Sequence, residues 1–407
     1  MKFNKWTLGL AAVGVVSLTS AARADESKLS QVQTALSDTT ISGYVDVSAQ
    51  FNPNGGGSYN GVTGPNYNFG NKANGINLNV VDIAIDKPLD ESPWAAGYHV
   101  EFWVGPDGTT LGVGNDIRSA YIALRTPVGN GIDWKLGVWD TIIGYEGTTS
   151  GNNPNYSRSF GYNLEPTTHT GLLASYKIID EITVQAGVAN TSYAGGGAYS
   201  AAYNNAMYLP TVLGLVTLTA PESFGWAQGA TLSGGIVNTS GSVPQSTTGV
   251  GGVTGDGNGA TSYYAGFTLP TPVKALKFGG SFDYLNARDI GANTWVVAGY
   301  GTYQFNDKLS LNLRAENQQG GGNSTAGVQL SGGAYGPDFA NGGPNQQAQE
   351  VTATLQYALW ANVLTRLEVR WDHVSHGEGY INNTASYATP TPQANAFLLA
   401  LQAIYTF

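Results

Sequence analysis

Hydrophobic side chains occupy every second position at the carboxyl end of the chain, at Phe397, Leu399, Leu401, Ala403, Tyr405 and Phe407. The same alternation runs through residues 308–316, 350–359 and 366–372, where most intervening positions are polar or charged. A period of two residues places apolar side chains on one face of a β-strand and polar side chains on the other. Repeated segments of about ten such residues are typical of strands that cross a membrane.

Sixteen segments are predicted as strands on this pattern. They span residues 40–51, 76–86, 96–104, 116–126, 132–144, 168–177, 182–190, 205–218, 229–238, 261–269, 276–285, 294–305, 308–317, 349–359, 363–374 and 396–407. The alternation is weakest in 76–86 and 205–218. The sequence therefore predicts an all-β fold, a transmembrane antiparallel up-and-down β-barrel of about sixteen strands, with fourteen to eighteen compatible with the pattern.

The connections between the predicted strands alternate in length without a break. Short connectors such as 127–131 and 270–275 alternate with long Gly-, Asn- and Ser-rich ones such as 52–75 and 318–348. Membrane barrels have short periplasmic turns and longer external loops. This order predicts that both termini of the barrel lie on the periplasmic side.

The amino end has the features of a secretory signal peptide. Lys2 and Lys5 precede an apolar stretch at residues 6–18, and Ala-Arg-Ala follows at 22–24. The apolar stretch is shorter than the roughly 20 residues that span a bilayer as a helix. Cleavage after Ala24 is therefore predicted, with export of a mature chain that starts at Asp25.

The predicted domain organisation has three parts: a signal peptide at 1–24, a short segment at 25–38 and the barrel at 39–407. Leu29, Val32 and Leu36 have helical spacing. They predict a short helix. Whether this helix lies in the periplasm or inside the pore is left open.

Composition narrows the class of protein further. Only 11% of the residues are charged, against about 25% in ordinary soluble domains. Removal of residues 1–24 takes away two Lys and one Arg, which leaves 15 basic and 28 acidic residues and a formal charge of −13. This charge argues against nucleic acid as a partner. The absence of Cys excludes disulfides, thiolate metal sites and thiol nucleophiles.

Several short motifs resemble one known family. They are DTTISGYVD at 38–46, IRSAYI at 117–122, GVWD at 137–140, IGYE at 143–146, NYSRS at 155–159, Pro166 and HTG at 169–171. Together they are similar to the OmpL-like beta-barrel porins, with the closest likeness over residues 38–190. The resemblance implies an outer-membrane barrel with pore activity, and it implies no particular substrate.

Charged residues on the inner face are the candidate functional groups. Barrels of about sixteen strands enclose an aqueous channel too wide for side chains to fill. The predicted pore-lining residues are Glu101, Arg118, Arg314, Glu316, Glu350, Arg366, Glu368, Arg370 and Asp372. Two interpretations are open: these charges create a field across the pore, or they form a hydrogen-bonded network that stiffens the wall.

The third long loop, residues 145–167, contains Glu146, Arg158 and Glu165 and few apolar residues. Loops of this length in compact folds are usually functional or disordered. One prediction is that this loop folds inward and constricts the channel. The alternative is that an Arg158–Glu146 pair only fastens it to the rim.

The charge balance bears on ion selectivity. The acidic mature chain predicts a modest preference for cations. Arg118, Arg314, Arg366 and Arg370 oppose it if they control the narrowest point.

The sequence contains none of the common hydrolase, metalloprotease or nucleotide-binding motifs, and no cofactor or metal site is predicted. Asp372 and His373 are neighbours, but adjacent strand residues point to opposite faces. The predicted protein is therefore not an enzyme, and a barrel hydrolase is a minor alternative. The main alternative is a non-conducting barrel that serves as a surface anchor or adhesin.

The predicted function is a porin for passive diffusion of small hydrophilic solutes or ions. Its predicted partners are outer-membrane lipid and lipopolysaccharide, the barrel-assembly machinery and, by analogy with general porins, two further copies in a homotrimer. Tyr405 and Phe407 form the predicted assembly signal. Aromatic residues near strand ends predict an interfacial girdle, namely Trp94, Trp134, Trp226, Trp360, Tyr405 and Phe407.

Overall fold

The computed structural model describes residues 32–33, 38–52, 72, 74–110, 117–190, 210–239, 259–288, 292–321, 346–376, 380–382 and 391–407. Within these ranges, no helix has the length and apolar character needed to cross a membrane.

Sixteen antiparallel strands form one closed barrel. They are β1 (Thr40–Phe51), β2 (Gly75–Lys87), β3 (Ala96–Val104), β4 (Ile117–Thr126), β5 (Ile132–Asp140), β6 (Thr168–Ile179), β7 (Ile182–Ala189), β8 (Thr211–Thr219), β9 (Thr231–Thr239), β10 (Ala260–Pro270), β11 (Leu276–Ala287), β12 (Ala292–Gln304), β13 (Leu309–Gly321), β14 (Gln346–Trp360), β15 (Val363–His376) and β16 (Asn395–Thr406). Each strand pairs with its sequence neighbour, and β16 pairs with β1 to close the sheet. The predicted fold class and strand count are confirmed.

Three smaller features accompany the barrel. Two five-residue helices, α1 (Pro106–Thr110) and α2 (Phe160–Leu164), lie in long connections. Glu222–Ala227 forms a 3-10 segment between β8 and β9. A separate two-stranded hairpin joins Tyr380–Asn382 to Thr391–Gln393.

Two predicted strand boundaries are wrong for identifiable reasons. The strand predicted over 132–144 ends at Asp140, because pairing with β6 stops after the bond from the Thr141 N–H to the Thr167 carbonyl at 2.9 Å and Ile142 and Ile143 turn into the barrel interior. The strand predicted from 205 begins at Thr211, directly after Pro210, which has no N–H for a strand ladder. Residues 205–209 lie outside the described ranges.

The barrel is closed at the carboxyl terminus by reciprocal backbone hydrogen bonds. The Gly43 N–H donates to the Phe407 carbonyl at 3.1 Å, and the Phe407 N–H donates to the Gly43 carbonyl at 3.0 Å. A Cβ atom at position 43 would overlap the Asp82 carbonyl and approach the Phe407 ring. Glycine at 43 therefore allows the last residue to seal the sheet.

The alternation of side chains sorts the two faces as predicted. On β15, Leu367 is 42% exposed on the outer surface, whereas Glu368 is completely buried. Exposed aromatic residues collect at the end of the barrel that carries the short connectors, as the predicted girdle requires: Trp94, Trp226, Trp360 and Tyr405. The outer face is thus apolar at mid-height and aromatic at this rim.

A β-bulge changes the alternation on β4. Glu101 pairs with Ser119 and Phe102 pairs with Ile117, so Arg118 is the extra residue between them. Bulges re-aim side chains in this way. Arg118 and Ser119 are consequently both buried, although strict alternation places one of them on the outer face.

The amino-terminal segment is described only at Val32–Gln33. These two residues are extended and pair with Ile41 and Thr40 of β1. The helix predicted for 25–38 is therefore wrong at these two positions, because their backbone pairs with the sheet. The predicted signal peptide at 1–24 lies outside the described residues.

Candidate functional site

The connection between β5 and β6, residues 141–167, lies inside the barrel, and we call it the lumen loop. It contains a 3-10 turn at Ser150–Asn152 and helix α2. Ser159 caps α2, because its hydroxyl accepts a hydrogen bond from the Tyr162 N–H at 2.9 Å. Most of its residues are buried, although connections usually run over a protein surface.

Carboxylates of the barrel wall accept hydrogen bonds from the backbone of the lumen loop. Glu368 on β15 accepts from the Tyr156 N–H at 2.6 Å and from the Ser157 N–H at 2.9 Å. Glu316 on β13 accepts from the N–H groups of Phe160 at 2.8 Å and Gly161 at 3.3 Å. These bonds satisfy loop donors that would otherwise be buried without partners.

Guanidinium groups of the same wall donate to the loop carbonyls. Arg366 donates to the carbonyls of Ser150 at 3.0 Å and Asn153 at 2.5 Å. Arg370 donates to the Arg158 carbonyl at 2.6 Å. The wall therefore binds both the N–H and the carbonyl groups of the loop backbone.

Arg314 is the centre of this network. Its guanidinium forms ion pairs with Glu146 of the lumen loop at 2.7 Å, with Glu350 at 3.0 Å and with Glu316 at 3.5 Å, and all four side chains are completely buried. Arg314 also donates to the Ser157 carbonyl at 2.8 Å. Glu146 thus pairs with the wall and not with Arg158, which donates to the Thr148 carbonyl at 2.6 Å.

The opposite side of the lumen loop packs against apolar residues. Ile142 and Ile143 form one buried cluster with inward-facing residues of β5, β6, β8, β9 and β10, among them Trp139, Leu173, Leu213, Leu215, Val237 and Tyr264. Tyr145 stacks on Tyr300 of β12 with ring centroids 3.9 Å apart. The prediction of a polar inner face is wrong here, because the loop covers this wall and excludes water. The sequence of β8, TVLGLVTLT, could have indicated this apolar inner face, because it is apolar on both faces of the strand.

Glu165 attaches the end of the lumen loop to β11. Its side chain lies against Asp283, and neither carboxyl forms an ion pair with a residue in the described ranges. Burial raises the pKa of Glu165 well above its ordinary value, and the neighbouring Asp283 raises it further. Gly144 makes room for this carboxyl, because a Cβ atom there would overlap it, and its φ of +119° suits glycine. Sequence reasoning missed Asp283, although it lies two residues after Ser281 and therefore on the same inward face of β11.

Rising pH is expected to loosen this attachment. A glutamate whose pKa is raised by folding stabilises the folded state below its ordinary pKa of about 4.3, and that contribution is lost as pH rises through the raised value. Ionised Glu165 then faces Asp283, Glu146 and Glu316. Channel conductance should rise as the pH is raised above the ordinary Glu pKa of about 4.3 and through the raised pKa of Glu165, and Glu165→Gln should remove that rise. Identical pH profiles for the two proteins would contradict this assignment.

The wall formed by β2 to β5 carries a second set of charges. Arg118 forms ion pairs with Glu101 and with Asp140, the latter at 2.5 Å, and its guanidinium lies over the Trp103 ring at 5.4 Å. His99 contacts Asp86 at 2.5 Å, Ser119 at 2.8 Å and Glu101 at 3.3 Å. Sequence reasoning named Glu101 and Arg118 but missed His99 and Asp86. The alternation of β2 and β3 could have predicted that both side chains face inward.

The groups that could serve a hydrolase are each bound to a neighbouring side chain. Ser119 is buried, donates to Glu101 and lies 2.8 Å from the His99 ring nitrogen. Asp372 is buried and bound to Arg370 at 2.7 Å, while His373 bonds to Asn395 on the other face of the sheet. Within the described ranges, no group of three or more His, Asp or Glu side chains is arranged to hold a metal ion.

A closed barrel of sixteen antiparallel strands with a polar interior is the architecture of the outer-membrane porins. The sequence profile of the family described as "Putative beta-barrel porin-2, OmpL-like" matches residues 38–407, and the chain belongs to this family. The resemblance seen over 38–190 thus extends to the carboxyl terminus. The predicted family, fold and porin function are confirmed. No curated protein sequence matches the chain significantly.

Solved outer-membrane proteins share this fold at low sequence identity. The channel DcaP of Acinetobacter baumannii is 14% identical with a TM-score of 0.56, covering 92% of this chain and 99% of DcaP. OmpF of Salmonella typhi, in complex with daunomycin, is 11% identical with a TM-score of 0.56, covering 93% and 100%. OmpT of Vibrio cholerae, in its trimer form, is 15% identical with a TM-score of 0.55, covering 91% and 99%.

Proposed function

We propose that this porin is a passive diffusion channel for small hydrophilic solutes or ions, and that its lumen loop sets the width of the pore. One observation carries the proposal: the loop lies inside the barrel and is held on one side by Arg314, Glu316, Arg366 and Glu368 and on the other by an apolar cluster. An unobstructed barrel of this strand number has a wide aqueous channel. A loop fixed in that channel reduces the size of solute that passes.

Liposome swelling with uncharged sugars of increasing size tests this proposal. Vesicles with the wild-type protein should swell in small sugars and exclude large ones. A variant with residues 145–165 replaced by a short Gly-Ser linker should admit larger sugars. If folded barrels of both proteins admit no sugar, the channel is not open, and the surface-anchor function replaces the proposal.

The proposal places the protein in the bacterial outer membrane after export and cleavage behind Ala24. The apolar outer surface with its aromatic rim supports contact with lipid and lipopolysaccharide. A homotrimer is part of the proposal, supported by the shared fold with OmpT of Vibrio cholerae in its trimer form. A catalytic activity is not part of it, in keeping with the porin family.

Deletion of Phe407 should lower the yield of folded barrel in membranes. The deletion removes the two backbone hydrogen bonds to Gly43 that seal β16 against β1. It also removes the terminal aromatic residue, which we propose the barrel-assembly machinery recognises together with Tyr405. Heat-modifiable migration of membrane fractions measures the yield. Phe407→Tyr, which keeps the ring and the backbone bonds, should fold normally; equal yields from the deletion and the wild type would contradict the prediction.

A further inference from the structure

Two groups of charges line the barrel, and they differ in their access to water. In the group that holds the lumen loop, the Arg314, Glu316 and Glu350 side chains have no exposed area, and Arg370 has only 2%. In the second set, on β2 to β5, Glu101 and Arg118 are only 5% exposed, whereas the side chains of His99 and Asp86 are 15% and 36% exposed; Asp140 is 46% exposed and is paired with Arg118. Charges that line the aqueous lumen act on a passing ion at close range.

The accessible group lies on β2 to β5, toward the end of the barrel with the short turns. His99 and Asp86 pair across β3 and β2, and the His99 ring stacks on Tyr121 of β4 with centroids 5.0 Å apart. Lys135 of β5 faces the same region, because its ammonium lies 4.6 Å from the centre of the Tyr121 ring. These four side chains form what we call the open wall.

Lys135 contributes a lysine cation to the open wall. Its ammonium contacts a ring face, and no ion pair joins it to an acid among the described residues. Lys135 is half-buried on the inner face, opposite Ala123 and Leu173. A charge on a low-dielectric wall concentrates counter-ions in the adjoining water. Asp86, which contacts the His99 ring at 2.5 Å, is its acidic counterpart.

We propose that Lys135 and Asp86 on the open wall determine the ion selectivity of this channel, and that the arginines of β13 and β15 serve only to hold the lumen loop. The inference rests on the proposed channel function. The N–H groups of Arg314, Arg366 and Arg370 donate hydrogen bonds to carboxylates and loop carbonyls. Carboxylates compensate the charges of Arg314 and Arg370, and all three guanidinium groups are covered from the water through which ions move.

Reversal potentials in a tenfold KCl gradient test the assignment. Lys135→Gln should raise the cation-to-anion permeability ratio by roughly twofold or more, and Asp86→Asn should lower it. Both effects should shrink at high salt, since the screening length falls from about 10 Å at 0.1 M to about 3 Å at 1 M. Lys308→Gln, in the exposed turn between β12 and β13, is the matched control and should change nothing. Unchanged reversal potentials for both open-wall variants would overturn the proposal.

Thiol labelling separates failure of this proposal from failure of the channel function. The chain has no Cys, so Lys135→Cys introduces a single reactive site and Thr352→Cys a matched one under the loop, at a position with no exposed area. A water-soluble methanethiosulfonate should modify the first variant quickly and the second slowly. Equal rates would refute the difference in access, whether or not the barrel conducts. Unequal rates without current would instead refute the channel function.

Discussion

Replacement of Arg314 by leucine is expected to lower the free energy of unfolding by about 3 to 5 kcal/mol. The substitution leaves Glu146, Glu316 and Glu350 without the guanidinium that compensates them, in a part of the lumen with no exposed area. It also removes the donor to the Ser157 carbonyl. We therefore expect the lumen loop to detach, and single-channel currents to become larger and noisier.

Urea unfolding in lipid vesicles, followed by tryptophan fluorescence, measures the loss of stability. Lys308→Leu removes a positive charge from an exposed turn and should change stability by less than about 0.5 kcal/mol. If Arg314→Leu unfolds at the wild-type urea concentration and conducts like the wild type, the network does not hold the loop.

Substitution of Leu367 by arginine is expected to destabilise the barrel by about 2 to 4 kcal/mol, because a cation near the bilayer midplane on the lipid face is poorly solvated. Leu367 lies on the outer surface of β15, between strand ends at Val363 and His376. Val363→Arg, at the end with the short turns, is the matched control and should cost no more than about 1 kcal/mol. Equal losses from the two variants in a urea titration would show that the strand crosses the membrane at another height.

The strands could be predicted from the sequence because their signal is local. The alternation of Leu309, Leu311 and Leu313 by itself predicts an outer face. Every strand keeps this alternation because one of its faces contacts lipid and the other contacts water or polar groups. The bulge at Arg118 is different. It depends on how β3 and β4 pair, and nothing in the run IRSAYI marks the extra residue.

Sequence reasoning identified the lumen loop but could not show which residues of the barrel wall it contacts. Its length and composition marked it as functional, yet its contacts join residues far apart in the chain: Tyr156 and Glu368 are separated by 212 positions. Alternation shows that Glu368 faces inward without showing what it meets. Arg314, Arg366, Glu368 and Arg370 each form hydrogen bonds with the lumen loop.

Single-channel recording in planar bilayers tests the central claim most directly, that this barrel is a channel narrowed by its lumen loop. We expect the wild-type protein to give uniform current steps, and the variant with residues 145–165 replaced by a Gly-Ser linker to give larger ones. A wild-type barrel that is folded and inserted but passes no current, or a linker variant with unchanged steps, would contradict the account.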